Sequence, residues 1–253
     1  MNNLQDNDGI FMKISGISKR FFRRSAFNWN QYIDAVSDIS FNILKGETIG
    51  VIGESGSGKS TLGKIIINIL KSDKGKVIYK EQDILAMSDR KFYPFRKDLQ
   101  MVFQNPYASL NNRYTVKEIL AEGLRVHKIC NKYEEQDIID YLLDLVGLNP
   151  KEKNKRSCEL SGGQCQRIGI ARSLSVEPKF IVFDESTSAL DVIVQDQIIK
   201  MIKDIQKKME LTYLFISHNL NLVKEISDKV CVINSGKVVE FGYSNMININ
   251  NMA

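Results

Sequence analysis

Residues 50–63 read GVIGESGSGKSTLG, five glycines and a lysine at the end of an apolar run. Gly53, Gly56 and Gly58 carry no side chain and tolerate left-handed backbone angles, so consecutive N–H groups can turn inward as a concave anion nest. Upstream, TIGVI is a short continuous apolar run, the pattern of a strand covered on both faces. Downstream, KSTLGKIIINIL places Leu62, Ile65, Ile66 and Ile69 on one helical face. The expected unit is strand, glycine loop, helix, with the loop shaped to hold phosphate.

The rest of the chain extends that unit into an α/β fold. FMKISGISKRFF and ISFNI (Ile39, Phe41, Ile43) alternate apolar with polar residues, as half-buried antiparallel strands do, and RRSAFNWNQY between them reads as a loop. TVKEILAEGL and EEQDIIDYLLDLVGL have helical periodicity, with Gly147 and then Pro150 as a stop. GQCQRIGIARSL reads as a helix, KFIVFDE as a buried strand ending in two acids, and DVIVQDQIIKMIKDIQKKM as a long amphipathic helix. YLFISH, NLNLVKEISD and KVCVIN continue the alternation, which predicts a mainly parallel sheet with helices on both faces. An Asn-rich tail closes the chain.

Composition removes several function classes. With 253 residues, 43% of them apolar, the chain can bury a real core. No uncharged apolar stretch approaches the roughly 18 residues of a membrane helix, and the polar start MNNLQDNDG is unlike a signal peptide, so a cytosolic protein is expected. Cys130, Cys158, Cys165 and Cys231 are scattered singly, which supports neither a disulfide framework nor a zinc site. The net charge of +5 comes from dispersed lysines, so no nucleic-acid partner is expected.

Gly53-Glu54-Ser55-Gly56-Ser57-Gly58-Lys59-Ser60 fits G-x-x-x-x-G-K-[ST], the Walker A phosphate loop, in the strand-to-helix context that the pattern requires. Backbone amides and the positive helix N-terminus would neutralise phosphate oxygens, Lys59 would reach the β- and γ-phosphates of ATP, and Ser60 would ligate Mg²⁺. Thr61 is counted with Ser55 and Ser57 among the nucleotide-binding residues. Phe180–Glu185 has the form of a Walker B strand: Asp184 would hold Mg²⁺, and Glu185 would orient and deprotonate an attacking water. By itself, an apolar run followed by two acids is also an ordinary strand entering a turn.

The class narrows at Leu160-Ser161-Gly162-Gly163-Gln164, which resembles the signature motif of ATP-binding cassette (ABC) ATPases. Ser161 offers a hydroxyl, and Gly162 and Gly163 let amides approach a γ-phosphate; Ser161 can equally cap the following helix. Three more matches follow the family's order. Gln104 in VFQNPYASL resembles the Q-loop glutamine, which senses Mg²⁺ and the lytic water. Ser188-Ala189-Leu190-Asp191 resembles the D-loop, although a plain helix N-terminus with Asp191 near its dipole is an equally good local reading. His218, closing YLFISH, resembles the switch histidine that bonds the γ-phosphate. The adenine is assigned to Phe21 in SKRFF, with Phe22 and Tyr32 as competitors.

The resemblance covers residues 10–242 and implies a single ABC ATPase domain. Its P-loop core, with an N-terminal antiparallel β part, would comprise residues 10–104 and 165–242, and a helical signature subdomain 105–164, leaving 243–253 as a tail. ETIGVIGESGSGKSTLGK, LQMVFQNPYASLNNRYTVKEIL and YLFISHNLNLVKEISDKV are similar to the ATP-binding subunits of bacterial dipeptide, oligopeptide and nickel importers, especially the second of their two paralogous ATPases. That implies a peripheral protein on the cytoplasmic face of the membrane. Its partners would be a paralogous ATPase or a second copy of itself, two permeases and, indirectly, an external solute-binding protein. Cys165, Ser186 and Asn105 stand where that family usually has a basic residue, proline and aspartate. The chain stops soon after GKVVEFG, so the iron–sulfur cluster of some relatives is not expected, and peptide versus nickel or metal-chelate cargo stays open. An ABC ATPase outside transport and a regulatory ATP-binding subunit are the alternative readings.

Overall fold

The computed structural model describes residues 9–23, 31–187 and 191–247. The elements up to Phe92 are β1 (Ile10–Arg23), β2 (Gln31–Leu44), β3 (Thr48–Ile52), α1 (Lys59–Ile66), β4 (Lys74–Tyr79), β5 (Gln82–Asp83) and the short α2 (Asp89–Phe92). Then follow β6 (Leu99–Val102), α3 (Pro106–Ser109), α4 (Val116–Val126), α5 (Glu135–Leu145), α6 (Gly162–Leu174), β7 (Phe180–Asp184) and α7 (Val192–Met209). Last come β8 (Thr212–Ile216), α8 (Leu220–Ile226), β9 (Lys229–Asn234) and β10 (Lys237–Tyr243). The described residues up to Phe92 and from Thr212 onward form one compact unit, and Tyr93–Leu211 form the other.

In the first unit, the alternation read from FMKISGISKRFF and ISFNI is an antiparallel pair in which Met12 faces Ile43, Ile14 faces Phe41 and Ile17 faces Ile39, all buried. The register shifts between Ile14 and Ile17, where Gly16 has φ 63° and its N–H donates to Ser40 Oγ at 2.8 Å. This bulge keeps both flanking apolar sets on the core side. β4 adds on β1 and β5 on β4, all antiparallel. The loop expected over RRSAFNWNQY is shorter than its sequence suggests. Cross-strand pairing, with the Phe22 and Tyr32 rings 5.4 Å apart, carries the strands through Arg23 and from Gln31, and residues 24–30 lie outside those described.

β3 is buried at all five positions because it pairs in parallel with β8 on one side and β9 on the other. β10 returns antiparallel on β9. A Cβ at Gly50 would collide with Val223 Cγ1, so only glycine lets α8 lie this close to β3. α1 buries Leu62, Ile65 and Ile66 as its periodicity predicts but ends there, and Ile69 is 57% exposed rather than on the buried face. The physical reason is the C-terminal turn: Asn68 takes φ 56°, its side-chain amide donates to Ile84 O at 2.7 Å, and the Ile69 and Leu70 N–H groups both return to Lys64 O. Ile67 is buried instead.

In the second unit, β6 and β7 are a parallel pair with Leu99 opposite Phe180 and Val102 opposite Phe183. Thr115 and Glu118 form a capping box at α4. Its last turn is tied to α5 by Arg125, whose guanidinium donates to both Glu135 oxygens at 2.6 and 2.7 Å. Gly147, at φ 68°, ends the α5 segment as expected, and Arg167 on α6 donates to Val146 O at 2.6 Å. α7 buries Ile198, Ile199, Ile202 and Ile205 on one face. Among the described residues no helix is long and apolar enough to cross a membrane, and no group of three His, Cys, Asp or Glu side chains could hold a metal ion.

Candidate functional site

The phosphate loop is closed by backbone on both sides. A Cβ at Gly53 would strike Ile233 O, and one at Gly58 would strike Ala35 O, so side chains are excluded from both positions. Gly56 and Gly58 have φ 81° and 104°, angles that any L-residue adopts only with strain. α1 begins at Lys59 with Gly58 as its cap and no side-chain cap bond, which leaves the helix N-terminus to backbone and ligand. The Lys59 ammonium folds back over the loop and donates to Gly53 O at 2.9 Å and Glu54 O at 2.8 Å. Ser57 Oγ is buried with no hydrogen-bond partner.

His218 comes to the same loop. A cavity of about 260 Å³ is lined by Gly53, Glu54 and His218 together with Val232, Ile233 and Asn234 at the end of β9. The β9 contribution was missed in the sequence, although Ser-Gly between KVCVIN and KVVEF is a hairpin-turn signal. A second cavity, about 340 Å³, is lined by Lys19, Arg20, Asp34, Val36 and Asp73. Phe21 lies beside its wall, with Lys19 Nζ 5.7 Å from the ring centroid. The Asp73 carboxyl is held below its usual range by hydrogen bonds from the Lys19 ammonium and the Arg20 N–H, and that of Asp34 by the Arg20 guanidinium. Of the aromatic candidates, Phe22 and Tyr32 are engaged edge-to-face with each other, and Phe21 is 38% exposed.

In the second unit, β7 is buried throughout and delivers Asp184, itself 5% exposed, at its carboxyl end. The chain then turns sharply: Glu185 adopts φ 46°, a left-handed angle that turns it out of the strand path. Its Oε2 accepts from Gln104 Nε2 at 3.0 Å, so two of the expected site residues, 81 positions apart, meet directly. Ser161 caps α6 as half of a capping box. Its Oγ accepts from Gln164 N, and Gln164 Oε1 accepts from Ser161 N at 2.9 Å. The expected cap at Ser161 is therefore present. Gly162 opens the helix, and a Cβ at Gly163 would lie 2.9 Å from Val194 Cγ1, which fits the first turn of α6 against α7. Asp191 caps α7 through Val194 N at 3.0 Å; Ser188, Ala189 and Leu190 lie outside the described residues.

Two of the three unusual residues have a local setting that accounts for them. Asn105 does the capping work of an aspartate, accepting from Ala108 N at 3.0 Å. Cys165 is fully buried as a small residue, its thiol donates to Ser157 O at 3.4 Å, and burial pushes that thiol up. Ser186 is buried with an unpartnered hydroxyl, and nothing in the structure explains it.

The donor set fits a nucleotide polyphosphate. Side-chain-free positions at Gly53 and Gly58 and the orphaned Ser57 hydroxyl are what phosphate oxygens would satisfy, and the Lys59 ammonium over the loop has the complementary charge. Each unit by itself carries hard oxygen donors of the kind Mg²⁺ takes, Ser60 in the first and Asp184 and Gln104 in the second.

The family described as ABC transporter matches residues 36–188. The oligopeptide transport ATP-binding protein OppF of Streptococcus mutans is 44% identical over 245 residues, 96% of this chain and 78% of that protein. OppF of Bacillus subtilis is 49% identical over 210 residues, 82% of this chain and 69% of that protein. A solved dimer of the ATP-binding cassette MJ0796, bound to ADP and Pi in a post-hydrolysis state, superposes with a TM-score of 0.82 at 25% identity, over 92% of this chain and 98% of that one. With a family match over more than half its length and relatives 44% and 49% identical over most of it, the chain belongs to the ABC transporter family.

Proposed function

We propose that this chain is the ATP-hydrolysing subunit of a bacterial peptide importer. The observation that carries hydrolysis, rather than binding alone, is the 3.0 Å bond between Gln104 and Glu185. It holds a carboxylate at a fixed place beside the magnesium-type acid Asp184, where it can accept a proton from water. Peptide cargo is favoured over nickel or metal chelates by the names of the relatives, which are 44% and 49% identical over 96% and 82% of this chain.

Each side chain has a separable task. The loop amides and α1 N-terminus hold the phosphates, and Lys59 exchanges its carbonyl partners for phosphate oxygens. Ser60, Asp184 and Gln104 would hold Mg²⁺, which when bound neutralises charge on the phosphates. Glu185 takes the proton of the attacking water, and His218 steadies the γ-phosphate. Ser161, Gly162 and Gly163 present the N-terminus of α6 to a nucleotide held by a partner, so the active form is a face-to-face pair of this chain with a paralogue or a second copy. Two permeases and an external binding protein complete the importer, which places the chain at the cytoplasmic face of the membrane.

The test is Glu185→Gln with the co-expressed partners. The amide keeps the shape and the bond to Gln104 but accepts no proton, so turnover should fall by about 10²–10⁴-fold with ATP binding retained, and MgATP should trap a closed pair on gel filtration. Wild-type hydrolysis in that variant would remove Glu185 as the base.

A further inference from the structure

We propose that the turn between β9 and β10 is a positioning element of the phosphate loop, and that Gly236 is the residue through which it acts; this rests on Gly53–Ser60 being the nucleotide-phosphate loop. The Gly236 N–H donates to Ser57 O at 3.0 Å, and Gly236 O accepts from Ser37 N–H at 2.7 Å. One residue of the hairpin thus bridges the loop to β2. Gly236 sits at φ 79°, and a Cβ there would lie 2.9 Å from Asp34 O and 3.0 Å from Ala35 O. The same stretch of β2 bars a side chain at Gly58, and the end of β9 bars one at Gly53. Residues 34–37, 53–58 and 233–236 therefore meet through backbone atoms, which cannot swing aside as the end of a side chain can.

The consequence follows from peptide geometry. In a planar trans peptide the C=O and the following N–H point in opposite directions. Pinning Ser57 O with the Gly236 N–H therefore aims the Gly58 N–H the other way. In the phosphate-loop reading that is the direction of the bound anion, and an amide aimed in advance forgoes reorganisation on binding. Gly236 acts through Ser57 and Gly58 and does not itself touch the nucleotide.

Gly46 offers a matched control. It lies in the turn between β2 and β3 of the same unit, has φ 77°, and has nothing within 4 Å of an added Cβ. Gly236→Ala and Gly46→Ala impose the same backbone strain, but only the first pushes on the loop. Titrating MgATP into each purified chain by calorimetry should show binding weakened about tenfold, or about 1.4 kcal/mol, in Gly236→Ala. In Gly46→Ala it should stay within about twofold of wild type, with cooperative melts in both. Equal affinity in the two variants would overturn the proposal, whereas a wild-type chain that binds no MgATP would overturn the phosphate-loop reading instead. If Gly236→Ala does not fold, hydrogen exchange on the wild type decides. MgATP should slow the Gly236 and Ser37 amides and leave Gly46 unchanged, and no slowing at Gly236 and Ser37 would refute the brace.

Discussion

Gly50→Ala tests whether close packing of α8 on β3 carries the first unit. The added methyl would sit 2.5 Å from Ser227 Oγ, 3.1 Å from Ser227 Cβ and closer still to Val223 Cγ1. Ser227 can rotate its hydroxyl away without losing a hydrogen bond, because that oxygen has none. Val223 is fully buried, so α8 must move outward. Overpacking of this kind costs about 1–3 kcal/mol. Replacing glycine also restrains the unfolded chain, which returns about 0.4–1 kcal/mol, so we predict a net loss of about 1–2 kcal/mol. Val223→Ala alone should cost about 2 kcal/mol for two buried methyl groups and the space they leave. In the double variant the new methyl occupies part of that space, so the two losses should fall short of additivity by at least 1 kcal/mol, well outside the ~0.5 kcal/mol scatter of independent sites. Urea unfolding followed by circular dichroism, with m-values compared, measures all three. ATP turnover should fall with Gly50→Ala as well, since α8 starts two residues after His218. A fully stable Gly50→Ala, or strictly additive losses, would show that contact with Val223 is not what demands glycine.

Two further predictions concern charge. Lys59→Ala should weaken ATP binding itself by tenfold or more, because it removes the ammonium now shared between Gly53 O and Glu54 O; unchanged affinity by equilibrium binding would discard the phosphate-loop reading. Glu135 is held below its ordinary carboxyl value of 4.5 chiefly by the hydrogen bonds from Arg125. The depressed value means its stabilisation is complete above pH 4.5 and is lost as pH falls through the lower folded value. Glu135→Gln should therefore melt below wild type at neutral pH and converge with it in acid, and a constant gap across that range would contradict the linkage.

Local chemistry made much of this protein readable in one dimension. Anion nests, apolar runs and helical stripes depend on residues within one turn or strand, so β3, α6, β7 and α7, the loop from Gly53 to Ser60 and the cap at Ser161 all follow from neighbouring residues. Where α1 stops was not readable, because Ile69 keeps the apolar period and the end is imposed by Asn68 reaching Ile84, 16 residues on. Pairing at Phe22 and Tyr32 likewise prolonged strands whose residues look like loop. β4 and β6 carry no periodicity long enough to stand out and exist as strands because β1 and β7 offer them edges. The site divides in the same way: residue types and spacing named Lys59 and Glu185, and the resemblance to ABC ATPases named Gln104 and His218. Only the folded chain brought Gln104 within 3.0 Å of Glu185 and set the backbone of Gly236 against Ser57. Such contacts join atoms far apart in sequence through hydrogen bonds whose partners no local pattern specifies.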